Sequence, residues 1–322
     1  MRFVEVGGVR LSAIGLGTWQ FGSREWGYGD EYAEREAVAI VHRALDLGIN
    51  LIDTAELYAF GRSERIVGRA IEGRRPEVFV ATKVFPVLPL APIVEQRGRA
   101  SAGRLGVDAI DLYQVHQRNP VVPQGTIMEG MRRLQRAGTV AHVGVSNYPL
   151  RAWQAAERAL DAPVLSNQVQ YSLVTRKPES DLLPYAQAND RLIIAYSPLA
   201  QGFLSGRFEP GTPAPRGVRA FNPFFLPENL EKGAEVIGAL RDVAKAHDAT
   251  PAQVALAWVI RRPNVVAIPG ASRVSQLESN AAAADLELSD EEDARLTGAS
   301  DRFEPIRGPA AVPKIARARL PF

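Results

Sequence analysis

Cysteine is absent from the 322 residues. That absence excludes disulfides, thiolate zinc sites, iron–sulfur clusters and cysteine nucleophiles together. Histidine is scarce: the four stand at positions 42, 116, 142 and 247 with neither an H-x-H nor an H-E-x-x-H spacing, so no metal centre is expected. An excess of one charge is also missing. The formal net charge is +2, which leaves no strong field to steer nucleic acid or an anionic membrane, and neither is expected as a partner. No apolar run reaches about 18 residues. The opening MRFVEVGGVRLS carries Glu5 and no apolar core of signal-peptide length. What remains, 46% hydrophobic and 23% charged, is the composition of a globular protein. The expectation is a cytoplasmic enzyme or binding protein.

The first dozen residues read as a hairpin: Phe3, Val4 and Val6, a Gly7-Gly8 turn, then Val9 and Leu11. Beyond it, strand-like apolar runs fall at 14–18, 50–53, 77–83, 109–116, 140–145, 164–170, 191–196 and 264–268. Helical periodicity fills the gaps, with Val38, Val41 and Leu45 in one and Ile127, Met131 and Leu134 in another. Gly48 suits the left-handed residue after the first helix. Thr250-Pro251 with Gln253, and Ser289 with Glu292, read as helix starts with capping boxes. Eight strands alternating with helices predict a (β/α)₈ TIM barrel with an N-terminal β-hairpin. The doubly wound alternative needs a phosphate-binding glycine turn, and Gly15-Leu16-Gly17 has Gln20 where the third glycine would stand. After strand seven comes a long segment, 203–230, with five prolines and with Phe203, Phe208, Phe221, Phe224 and Phe225. Its aromatic content predicts packing against something, and the tail from Arg302 to Phe322 is placed to cover the same mouth.

Four residues at or just past strand ends carry the chemistry: Asp53 and Tyr58 in NLIDTAELY, Lys83 in FVATKV and His116 in DLYQVHQ. In a parallel barrel the C-terminal strand ends open on one face, so these groups converge on one pocket. A phenol titrates near pH 10, about, and a neighbouring ammonium is expected to lower that value. Lys83 supplies the charge, Asp53 anchors Lys83, and His116 orients a substrate carbonyl; together they protonate an oxygen as charge develops on it. No side-chain nucleophile is needed, which favours an external hydride donor. His42 and His142 read as structural, and Glu56 as a solvated loop carboxylate.

The chain resembles the aldo-keto reductase superfamily. GLGTWQFG, NLIDTAELYAFGRSERIVGRAI, VFVATKV, DLYQVHQ, HVGVSNY, NQVQYSLV, IAYSPLAQGFLSG and VAIPGASRVSQLESN follow in that family's order, so that 1–322 is expected to be one such domain. The form of the last two motifs, with the 203–230 segment, is nearer the bacterial and potassium-channel β-subunit branch than aldose reductase. The resemblance implies NADPH-dependent reduction of aldehydes or ketones, with Asp53, Tyr58, Lys83 and His116 as the catalytic tetrad. Channel-subunit relatives commonly carry Asn in place of the histidine, so His116 points to an ordinary reductase. By the same resemblance Ser146, Asn147 and Gln168 hold the nicotinamide carboxamide and Tyr196 stacks beneath its ring. Ser197, Leu199, Gln201 and Arg207 match the pyrophosphate stretch; Gly270, Ser272, Arg273, Gln276 and Asn280 match the adenosine stretch.

The chain departs from the aldose reductase pattern at two places, with Gly270 standing for a lysine and Gln276 for an arginine. Arg273 replaces part of that phosphate grip. The implied preference is NADPH, with NADH accommodated as well. Trp19 and Phe85 are expected to project toward the substrate, with Trp26, Tyr28 and the 221–225 stretch as further walls. Two other readings stay open: a regulatory NADPH-binding subunit with little turnover, and a metal-dependent barrel hydrolase or isomerase. Turnover across a carbonyl panel separates the first, and loss of activity with chelator identifies the second. Substrate identity, reaction direction and oligomeric state are not legible from the sequence.

Overall fold

The computed structural model describes residues 1–23, 29–212, 215 and 217–317. Strands β1 (Phe3–Val6) and β2 (Val9–Ser12) form the expected antiparallel hairpin, in register Val6 with Val9. Its two-residue turn uses Gly7 and Gly8 at φ 55° and 77°, the conformation that suits the right-handed strand twist. Eight strands then make one parallel sheet: β3 (Leu16–Gly17), β4 (Leu51–Asp53), β5 (Phe79–Val84), β6 (Ile110–Val115), β7 (Val140–Ser146), β8 (Ser166–Gln170), β9 (Leu192–Tyr196) and β10 (Val265–Ala267). Parallel bridges from Ile14 to Ala267 and from Gly17 to Gly270 close the sheet into the (β/α)₈ barrel. Gly17 is required there, since a Cβ would lie 2.7 Å from the Ile268 carbonyl oxygen. The glycine pair of 15–17 therefore serves barrel closure rather than phosphate binding.

Helices α1 (Asp30–Asp46), α2 (Arg62–Ile71), α3 (Ala91–Leu105), α4 (Gln124–Arg136), α5 (Leu150–Leu160) and α6 (Leu182–Ala188) cross between successive strands. After β9 come α7 (Pro227–Lys232), α8 (Ala234–Ala246) and α9 (Pro251–Ile260). After β10 come α10 (Val274–Ala282), α11 (Asp290–Asp301) and α12 (Val312–Arg317). Gly48 ends the turn after α1 at φ 80°, and both capping boxes form at the starts of α9 and α11. No helix among the described residues is long and apolar enough to cross a membrane.

Side-chain alternation explains where the site lies. Leu51, Ala81, Leu112, Leu192 and Ile194 cluster inside the barrel with Val6 and Leu11 of the hairpin, which closes the N-terminal end. Two residues further along four of these strands, on the same face, stand Asp53, Lys83, Gln114 and Tyr196. The interior thus changes from apolar at the bottom to polar at the C-terminal mouth.

Aromatic residues of the 203–230 segment pack on one another and on the tail. Phe203 stacks on Phe224 at 5.3 Å and on Phe303 of the tail at 5.6 Å, while Phe208 meets Phe225 edge-on at 4.8 Å. Phe224 and Phe225 are therefore core residues, and Phe221 is exposed. The tail bonds to α7 and its flank, with Asn229 Nδ2 donating to the Ile306 carbonyl and Lys232 Nζ to that of Glu304. Trp26 and Tyr28 lie outside the described residues.

Candidate active site

The end of β4 places Asp53, almost wholly buried, next to Lys83 on β5, which is fully buried. Lys83 Nζ donates to Asp53 Oδ1 at 2.6 Å and to the Thr54 carbonyl at 2.8 Å, and it sits 3.4 Å from the Tyr58 hydroxyl. Thr54 also anchors Ser63 of α2, with Thr54 Oγ1 to Ser63 Oγ at 3.0 Å, so the turn after β4 is pinned to its helix. The Tyr58 ring meets the His116 imidazole edge-on at 5.8 Å. The four sequence-predicted residues converge.

Burial alone would push the Lys83 ammonium toward neutrality, but the Asp53 carboxylate, and after it Tyr58, outweigh burial and hold its pKa above the usual lysine value. An isolated buried lysine would behave oppositely. Tyr58 differs from expectation. Burial pushes its phenol above the ordinary range; Lys83 opposes this, and Asp53 adds to the rise. In this state desolvation exceeds the ammonium's pull. His116 is pushed down to about 3, first by burial and then by the Lys83 charge, so its imidazole is neutral. Its Nδ1 is buried with no partner among the described residues. A bare lone pair is tolerated there better than an orphaned N–H, which assigns the proton to Nε2.

Amides support the acid from across the barrel. Gln168 Nε2 donates to Asp53 Oδ2 at 2.7 Å and Gln114 Nε2 approaches the same oxygen at 3.4 Å, while Ser166 Oγ donates to Gln114 Oε1. Apart from their inward parity, Gln114 and Ser166 carry no signal in the sequence. Around the mouth, Ser146 Oγ donates to the Gln168 carbonyl at 2.9 Å, Asn147 Nδ2 to Ser146 Oγ at 3.1 Å, and the Tyr196 hydroxyl to Asn147 Oδ1 at 3.0 Å. Asn147 is exposed and left-handed, at φ 59°. Such backbone strain clusters at functional sites, and Ser197, Ala200 and Gln201 after β9 share it at φ 49°, 48° and 59°.

The predicted phosphate contacts divide into two groups. In the first, Gln201 is engaged internally: its Oε1 accepts from Asn222 Nδ2 at 3.2 Å and its carbonyl from Arg219 Nε at 2.9 Å. The Leu199 carbonyl accepts from the Gly202 and Leu204 amides in the same turn. Arg207 is exposed. Arg219, which sequence reasoning missed, has its guanidinium pKa lowered by burial and then by the charge of Arg207. In the second group, Gln276 Oε1 accepts from the Ser272 amide and hydroxyl at 3.0 and 3.2 Å, and buried Asn280 donates to the Gly270 carbonyl at 3.4 Å. Gln20 lies over Gly270 and donates to the Ala271 carbonyl at 2.8 Å. Arg273 is exposed with no side-chain partner among the described residues.

Both expected substrate residues reach the tetrad. The Trp19 ring lies 6.5 Å from Tyr58 and the Phe85 ring 5.9 Å from His116. Glu56 is not a solvated carboxylate. Its side chain is 10% exposed and paired with Arg97, with Arg97 Nε at 3.0 Å from Oε2, and its Oε1 accepts the Phe85 amide at 2.5 Å.

The model of the aldo/keto reductase family matches residues 13–301. An oxidoreductase of Mycobacterium tuberculosis, Rv2298, is 53% identical over 307 residues, 95% of each chain. The methylglyoxal reductase YeaE of Escherichia coli is 36% identical over 294 residues, covering 90% of this chain and 91% of its own. Among solved structures, an aldo-keto reductase from Klebsiella pneumoniae in complex with NADPH superposes with a TM-score of 0.76 at 34% identity, covering 92% of this chain and 93% of that one.

Proposed function

Because the chain belongs to the aldo/keto reductase family, we propose that it reduces aldehyde and ketone carbonyls to alcohols with NADPH, with Tyr58 as the proton donor. The observation that carries the proposal is the buried chain from Asp53 through Lys83 to the Tyr58 hydroxyl, at 2.6 and 3.4 Å. NADPH, when bound, supplies the hydride that goes to the carbonyl carbon. The residues of this chain do the rest. Neutral His116 donates from Nε2 to the carbonyl oxygen and orients it. Tyr58 passes its proton to that oxygen, and the Lys83 ammonium stabilises the phenolate left behind. The fixed charge acts in a site shielded from water, where its effect is largest. Asp53 keeps Lys83 charged and in place.

The residues present fit the cofactor. Ser146 and Asn147, with Gln168, offer amide and hydroxyl groups for a carboxamide, and the Tyr196 ring lies beside them. Arg207 and Arg219 would hold a pyrophosphate, and Arg273 would hold a 2′-phosphate. NADH, which lacks that phosphate, would bind more weakly. The Klebsiella relative carries NADPH, which supports this reading.

The test is a fluorescence titration with NADPH and NADH followed by a carbonyl panel on wild type and Tyr58→Phe. Turnover by wild type, loss of about 10²–10⁴-fold in kcat in the variant and unchanged NADPH affinity are expected. Retention of most of the rate by the variant would remove Tyr58 from the role of acid. Tight NADPH binding without turnover of any carbonyl compound would favour a regulatory subunit instead.

A further inference from the structure

We propose that Glu56 is a positioning residue that fixes Phe85 against His116 and thereby sets carbonyl-substrate affinity; the proposal rests on the reductase reading above. Glu56 grips the end of β5 from two sides. Its backbone N–H donates to the Lys83 carbonyl at 3.3 Å, and its carboxylate accepts the Phe85 N–H at 2.5 Å. One residue thus brackets the segment that presents both the buried ammonium and the ring beside the imidazole. The Phe85 ring packs edge-on to His116 at 5.9 Å and 83°, and Tyr58 packs edge-on at 5.8 Å and 82°. The imidazole has an aromatic ring at each of two edges, and only Phe85 is held through its amide by a charge.

The carboxylate is itself located by α3. Arg97 binds both Glu56 oxygens in the two-point geometry that fixes direction as well as distance, and Arg97 Nη1 reaches the Val87 carbonyl at 3.2 Å. Seven residues on, two turns along the same face of α3, Arg104 Nε binds Glu64 Oε2 at 2.5 Å, and Glu64 accepts from Thr82 Oγ1 at 2.6 Å. Two acid–guanidinium pairs therefore dock α3 at either side of Lys83. The Glu64 pair holds a side chain on the outer face of the barrel. The Glu56 pair is the one that ends on a residue of the mouth, and a displaced Phe85 would open one side of His116 without touching the Asp53–Lys83–Tyr58 chain.

The experiment compares wild type, Glu56→Gln, Phe85→Leu and the double variant, with benzaldehyde as substrate and hydrogen exchange at the Phe85 amide as a readout free of turnover. Glu56→Gln is expected to raise KM about tenfold while kcat and NADPH affinity stay within about twofold. In the Phe85→Leu background it should add less than about twofold, because the path runs through Phe85. Phe85 amide exchange should quicken at least about tenfold with the α3 amides unchanged. Arg97→Lys, which keeps the charge and loses the two-point grip, must reproduce the KM rise and serves if the glutamine variant does not fold. Unchanged KM and exchange, or effects that multiply in the double variant, overturn the proposal. So does a fall in kcat that tracks lost thermal stability. A wild type that reduces no carbonyl compound overturns the reductase reading instead, and the exchange rate at Phe85 still decides whether Glu56 holds it.

Discussion

Gln168 donates to Asp53 across the barrel at 2.7 Å, joining β8 to β4, which are not neighbours in the sheet. The bond runs between two buried side chains in the interior, and it satisfies the oxygen of Asp53 that Lys83 leaves open. Gln168→Leu keeps the volume and removes the donor, leaving Oδ2 with the longer Gln114 contact of 3.4 Å. A buried charged acceptor deprived of its best donor costs about 1–3 kcal/mol. In urea the unfolding midpoint should fall with the slope unchanged. An unchanged midpoint would mean that Gln114 closes the gap.

The histidine makes stability pH-dependent in one direction. Its pKa is about 3 in the folded protein, with burial the larger cause and Lys83 the second, against 6.5 for an unperturbed imidazole. Below the unfolded value the unfolded chain therefore binds the extra proton and the folded one does not. The contribution is fully present above about pH 6.5 and is lost as pH falls from there toward 3, by at most about 1.4 kcal/mol per pH unit. His116→Asn should flatten that part of the stability profile, measured by denaturation at several pH values. A slope that survives the substitution would place the titration elsewhere. Since Tyr58 is shifted upward, kcat/KM in wild type should also stay flat between about pH 6 and 9.

The convergence of Asp53, Tyr58, Lys83 and His116 was legible because each follows an apolar run and barrel topology aligns run ends; spacing and residue type sufficed to place Asp53, Lys83 and His116 together. The direction of the Tyr58 shift was not legible. It depends on whether burial or Lys83 has the larger effect, and sequence shows the ammonium but not the depth of the phenol. Glu56 was misread for a similar reason: its partner Arg97 lies 41 residues away on α3, a pairing that no local pattern signals. Phe224 and Phe225 were expected to line the mouth, yet Phe303 from the tail captures their neighbour Phe203, a contact between segments far apart in the chain. Arg219 stands in a proline-rich stretch with no periodicity to place it.

Barrel closure offers a test independent of chemistry. At Gly17 a methyl group would approach the Ile268 carbonyl oxygen to 2.7 Å. That atom is backbone and cannot rotate away as a side chain would, and its neighbours Ala267 and Pro269 accept the Gly15 and Gly17 N–H groups in the closing seam. Gly17→Ala should therefore cost about 1–3 kcal/mol, as overpacking does, and lower Tm. Gly125 on α4, whose Cβ would meet nothing within 4 Å, is the control; Gly125→Ala should be neutral or slightly stabilising, since alanine is the better helix former. A Gly17→Ala variant as stable as Gly125→Ala would show that the seam yields to a methyl group.

The last prediction separates two kinds of phosphate contact. Arg219 Nε binds the Gln201 carbonyl of the turn after β9 at 2.9 Å, and with Arg207 it is proposed to hold the pyrophosphate, which NADH and NADPH share. Arg273 stands at the start of α10, exposed, beside Gly270 and Gln276, where aldose reductase-type chains carry cations. A guanidinium bound to a phosphate through charge-assisted hydrogen bonds contributes about 1.5–3 kcal/mol, or roughly 10–100-fold in Kd. Arg273→Ala should weaken NADPH by that factor and leave NADH within about twofold, whereas Arg219→Ala should weaken both alike. Titrating the two variants with each cofactor gives a two-by-two comparison in which wild-type affinity cancels. If Arg273→Ala weakened both equally, the residue would hold a group common to the two cofactors, and the discrimination between them would have to come from elsewhere on α10.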